Sequence, residues 1–109
     1  MLFSKKSIEV SGFAIPPIPK EDRSKNRIES IQLAPNPAKG FTNVEVILSE
    51  KADISIVLIN GFGTVIRHFE LKGSHTYTYQ MPLNGIPPGG YLVKVGAFGT
   101  YKAVRLIIL

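Results

Sequence analysis

The stretch Phe41-Thr42-Asn43-Val44-Glu45-Val46-Ile47-Leu48 decides the fold. Thr42, Val44, Val46 and Leu48 fall on one side of an extended chain, with Asn43 and Glu45 on the other. Period-two alternation is the pattern of a strand with one buried face. It repeats downstream in Ile54, Ile56 and Leu58, then in Tyr77, Tyr79 and Met81. It returns in Tyr91, Val93 and Val95, and again in Val104, Leu106 and Ile108. Weaker versions cover Ile31 to Leu33 and Val65 to Phe69. No window carries a helical repeat with caps at both ends.

About seven short strands spaced near ten residues apart predict an all-β chain, packed as an immunoglobulin-like antiparallel β-sandwich. A barrel is the runner-up, because the same alternation would serve it. The connections fit this reading. Ala34 to Gly40 holds Pro35 and Pro37, which would interrupt a ladder, and Asn36 before proline favours a turn. Asn60-Gly61-Phe62-Gly63 reads as a hairpin turn with Asn-Gly supplying positive φ, and Gly89-Gly90 reads as a second turn. Tyr91 heads a strand, where a tyrosine hydroxyl folds back onto nearby backbone and pins a corner.

Upstream the texture changes. A short alternation at Ile8 to Val10 precedes Pro16-Pro17-Ile18-Pro19 and a charged run from Lys20 to Arg27. Prolines favour extended polyproline geometry and the charged run lacks an apolar face, so residues 1–27 read as a linker or the tail of a preceding domain. Residues 28–109 are then the sandwich. Met1 to Val10 has no apolar stretch after its lysines, so a signal peptide for an exported parent is expected further upstream. Nothing approaches the roughly 20 apolar residues of a spanning helix, so direct membrane insertion is not expected.

The chain has 109 residues, a net charge of +5 and no cysteine. A domain this size buries roughly two-thirds of its unfolded surface, so most apolar residues must share one core. The basic balance does not point to nucleic acid, because the early cations interleave with Glu9, Glu21, Asp22 and Glu29 and form no stripe later. His68 and His75 lie in or beside strands with no nucleophile elbow near them. The acids are dispersed, without calcium-loop or zinc spacing, and the paired glycines precede no helix that could hold a phosphate. No catalytic set, metal or cofactor is expected; the module reads as a recognition domain, not an enzyme. Its apolar last run, Val104 to Leu109, is an aggregation hazard unless it is paired or read by a partner.

From about Ile31 to Leu109 the chain resembles the type A C-terminal sorting domain of the type IX (Por) secretion system of Bacteroidetes. Pro35-Asn36-Pro37-Ala38 with Gly40 looks like the family's opening element. Ile54 to Ile59 followed by Gly61, Gly63 and Val65 resembles its strand, glycine turn and strand. Leu83 to Val95, with Gly89 and Tyr91, is similar to its L-x-x-L-x-x-G-x-Y-x-V-x-V block, and Lys102 to Leu109 to its basic-then-apolar terminus. The turn at Asn60 to Thr64 departs from the family, which commonly has a basic residue after glycine, and Ile86-Pro87-Pro88 replaces the usual Leu-Pro-Ala.

The resemblance implies a secretion signal that directs cargo through the outer-membrane translocon. A shuttle protein and a surface sortase are the further partners it implies. Passage would run through the periplasm to the cell surface or the extracellular space, with cleavage between about Phe13 and Ser30. The recognition motif it implies is Pro35, Asn36, Pro37, Ala38, Gly40, Gly89, Tyr91, Lys102, Val104, Leu106, Ile107, Ile108 and Leu109. Docking is expected on the edge of the last strand, from Ala103 to Leu109. The state expected is a monomer or a weak dimer through edge strands. The alternative is an extracellular fibronectin or adhesion-type binding module appended to a secreted enzyme.

Overall fold

The computed structural model describes residues 26–109. Residues 1–25, and with them most of the expected linker and cleavage window, lie outside the described residues. Five strands follow: β1 (Ile28–Ala34), β2 (Phe41–Ile59), β3 (Val65–Pro82), β4 (Gly89–Ala97) and β5 (Thr100–Ile108). All pairings between them are antiparallel, in the order β1-β2-β4-β5 with β3 also on β2. They form one sheet that curls into an open half-barrel.

The all-β reading stands, but the expected seven strands of a sandwich are five strands of one curled sheet. Two pairs of runs are continuous. Ser49-Glu50-Lys51 contains no proline, so the backbone passes from the Val44 run to the Ile56 run without leaving the ladder. Lys72 to His75 does the same within β3. Polar residues there mark bends of a long β2–β3 ribbon, where register shifts flank Ala52 opposite Ser74. Such irregularities bend a strand and let it serve two halves of a core. The first half of β2 pairs with β1 and the second half with β4.

Three contacts hold the bend. The Tyr77 hydroxyl donates to Ala52 O and accepts from Ser74 N–H at 3.0 Å, tying both strands at the shift. Asp53 Oδ1 accepts from Gly73 N–H at 3.0 Å, and Gly73 takes a φ of +80° that an L side chain resists. Tyr77 itself is buried.

The alternating positions fall inward as read. Val44, Val46, Ile56, Leu58, Val93 and Val95 are fully buried, and with Leu106 they belong to a single core. Each such side chain contributes about 1.5–3 kcal/mol by leaving water. Ile28 caps that core from β1. Just before β1, Arg27 exchanges bonds with Ser49: Ser49 N–H donates to Arg27 O at 2.9 Å and Arg27 N–H to Ser49 Oγ at 2.8 Å. Ile28 to Ser30, the end of the expected cleavage window, therefore sits inside β1.

The β2–β3 hairpin closes as expected, with one difference in its turn. Asn60 Oδ1 accepts from Phe62 and Thr64 N–H, and the positive φ of +83° belongs to Gly63 rather than to Gly61. The asparagine side chain does by hydrogen bonding what was expected of backbone twist.

Replacing Tyr77 with Phe removes the link between Ala52 and Ser74 without opening the core. It is expected to cost about 1–2 kcal/mol in urea unfolding, with Leu58→Ala costing about 2–5 kcal/mol as a core reference.

Candidate recognition site

The site is built from two segments about 70 residues apart in sequence, Pro35 to Ala38 and the end of β5. Four hydrogen bonds join them. Asn36 Nδ2 donates to Arg105 O at 2.8 Å, and Asn36 Oδ1 accepts from Ile107 N–H at 3.0 Å. Ala38 N–H donates to Ile107 O at 2.8 Å, and Leu109 N–H to Ala38 O at 2.9 Å. Ala38 forms a parallel bridge with Ile108. An asparagine amide here imitates a peptide group, so a proline-flanked turn acts as a short strand on the edge of β5. Both prolines follow cis peptide bonds.

The turn is anchored from beneath. Thr42, the one buried polar side chain among the described residues, donates from Oγ1 to Pro35 O at 2.8 Å. The alternation placed Thr42 inward for packing; its hydroxyl is there because Pro35 needs a donor. Ala38 is fully buried, so a longer side chain would displace core atoms. Gly40, at φ +86°, turns the chain into β2, and its carbonyl accepts from Leu83 N–H at 2.9 Å.

On the other side of β5 lies the block expected around Gly89 and Tyr91. Gly89 and Gly90 are not a turn; they open β4 and pair with Ile108 and Ile107. Gly89 holds a φ of +147°, so the backbone, rather than crowding, selects glycine there. Tyr91 donates its hydroxyl to Pro87 O at 2.6 Å, the corner pin expected of it.

Pro35, Asn36, Ala38, Gly89, Leu106, Ile107, Ile108 and Leu109 thus meet at one end of the sheet. Leu106 and Ile108 are buried, Ile107 is half-buried, and Leu109 is 64% exposed. Pro37 is exposed beside them. Lys102 and Val104 are not brought to this end. They pair with Val95 and Val93, and Lys102 lies about 23 Å along the strand from Leu109.

The expected docking edge needs correction at its end. Arg105 O, Ile107 N–H, Ile107 O and Leu109 N–H already have partners in the same chain. The ladder from Arg105 onward is closed, although the Leu109 side chain stays accessible. Sequence reasoning missed this because the partner segment lies so far away in sequence.

His68 and His75 are exposed on β3, and His68 Nε2 lies 3.7 Å from Glu70 Oε2. Among the described residues no three His, Cys, Asp or Glu side chains gather as metal ligands. No helix among them is long and apolar enough to cross a membrane.

The proline turn and the last strand thus form one hydrogen-bonded unit at one end of a curled sheet. The family model of the secretion system C-terminal sorting domain matches residues 32–109, nearly three-quarters of the chain. The chain belongs to that family, the C-terminal secretion signal of type IX secretion, and such a signal marks a protein for export to the cell surface or extracellular space. No curated protein matches the sequence. Among solved structures the chain is similar to dimeric latent PorU from Porphyromonas gingivalis, at 13% identity and a TM-score of 0.61. The similarity covers 72% of this chain and 9% of that one, and it concerns the fold.

Asn36→Ala should free Arg105 O and Ile107 N–H together. The expected result is a loss of about 1–2 kcal/mol and amide exchange at Ile107 and Leu109 faster by about tenfold or more, with β2 amides unchanged.

Proposed function

We propose that the chain acts as a folded address, read at the end of the sheet where Pro35 to Ala38 clasps β5. The observation that carries this is the set of hydrogen bonds from Asn36 and Ala38 to residues 105–109. The motif residues at that end are present together only in the folded domain, so a machine reading them accepts finished cargo. Pro35, Asn36, Pro37, Ala38, Gly40, Gly89 and Tyr91 hold the shape, and the exposed Leu109 with the half-buried Ile107 offer the apolar side chains of the strand end. Lys102 and Val104 contribute from the far half of β5.

In this reading the partners are the outer-membrane translocon with its shuttle protein, met from the periplasm, and then a surface sortase that cuts before the domain. The cut belongs upstream of Arg27, since Arg27 is already paired with Ser49. The domain itself performs no catalysis and needs no cofactor. Three-quarters coverage by a sorting-domain model supports this reading over an adhesion module.

Fusing residues 26–109 behind a signal peptide and a reporter in a type IX-competent cell tests it: the reporter is expected at the surface, and retention in the periplasm contradicts it. Deleting Ile107 to Leu109 is a blunt probe, because it removes buried Ile108 and three of the four joining bonds. Leu109→Lys keeps the backbone bond and changes only an exposed side chain. It is expected to lower surface delivery at unchanged melting temperature; normal delivery means that the Leu109 side chain is not read.

A further inference from the structure

The edge of β5 has a closed half and an open half. Ladder geometry alternates, so residues whose backbone groups face the Pro35–Ala38 turn recur at every second position. Ile107 is one of them, and so therefore are Arg105, Ala103 and Tyr101. The N–H and C=O of Tyr101 and of Ala103, with the N–H of Arg105, point away from β4. No hydrogen bond among the described residues reaches them, and all three residues are exposed.

This open stretch has a definite charge. The β4–β5 hairpin, Gly89 to Ile108, carries Lys94, Lys102 and Arg105 and no carboxylate. Side chains alternate along β5, so Lys102 flanks the edge on one face and Arg105 on the other. Lys94 joins Arg105's face, its Nζ 3.9 Å from the centre of the Tyr101 ring. Between them Ala103 is small, which leaves room for an arriving backbone. Two such edges repel each other, which works against pairing with a second copy. A strand bearing carboxylates meets cations on both faces.

We propose that Tyr101 to Arg105 is the docking edge for a short, extended, acidic peptide segment of a partner protein, added as a further strand. Asn36 blocks the ladder at Arg105 O, so the added strand spans about five residues and stops where the turn begins. This rests on the sorting reading only in that the partner belongs to the export machinery. The backbone ladder supplies affinity, and the cations supply choice of partner.

The test uses the whole chain, labelled with nitrogen-15 and titrated with two capped pentapeptides, Glu-Glu-Val-Glu-Glu, whose carboxylates lie on both faces of an extended chain, and Lys-Lys-Val-Lys-Lys. Amide shifts are expected at Tyr101, Ala103 and Arg105 with the glutamate peptide, weakening as salt is raised. The lysine peptide is expected to bind at least about tenfold more weakly. Ala103→Pro removes an outward N–H and leaves the β4 bonds intact, so it should abolish the response while the rest of the spectrum is kept. Should that variant unfold, Lys102→Glu with Arg105→Glu serves instead and should reverse the preference. No shift at the three amides, equal response to both peptides, or shifts confined to β3 overturns the proposal. Normal surface delivery of folded Ala103→Pro cargo would sink the docking edge and leave the sorting function standing. Failure of unmodified cargo to reach the surface would instead sink the sorting function, whatever the titration shows.

Discussion

One pairing organises this molecule: a four-residue proline turn laid against the last strand of the sheet. Without it β5 would end as an apolar edge with unpaired peptide groups, the arrangement most prone to aggregate. Asn36 and Ala38 satisfy those groups from within the chain. Thr42 in turn holds Pro35 from inside the core, so the turn, the first half of β2 and the end of β5 constrain one another. Between β1 and β2 the chain thus reaches across to the end of β5, joining the first and last strands of the curled sheet.

That closure bears on export. A signal displayed at the end of a strand is useful only if it stays accessible without being sticky. Here the backbone is occupied and the Leu109 side chain is not. In the proposed reading, binding energy from the terminal half comes from side chains and from the shape of the clasped end. In the proposed docking, backbone affinity is left to the half of β5 before Arg105. The two halves offer different chemistry on a single strand.

Much of this was legible in the sequence, and the boundary has physical causes. Inward and outward positions followed from alternation because a period of two leaves no ambiguity once one face is apolar, as Thr42 to Leu48 shows. The Tyr91 corner followed because its bond spans four residues. The strand count did not: polar residues at Ser49 to Lys51 look like a loop, and only the pairing of Ala52 with Ser74 makes them a bend. Gly89 and Gly90 looked like a turn because glycine's conformational freedom is used equally by a strand entry with φ of +147°. The clasp itself was hidden. Pro35 to Ala38 stood out as a motif, but nothing local says that its asparagine reaches Ile107.

The central claim is that this turn and the last strand are energetically one unit, and a double-mutant cycle measures that directly. Asn36→Ala removes the side chain, Ile107→Pro removes the N–H it accepts while sparing the β4 ladder, and the two are combined and unfolded in urea. Coupling of about 1 kcal/mol or more between the two sites is the outcome this structure requires. Losses that simply add, within about 0.3 kcal/mol, would mean that the turn and the strand end stand independently.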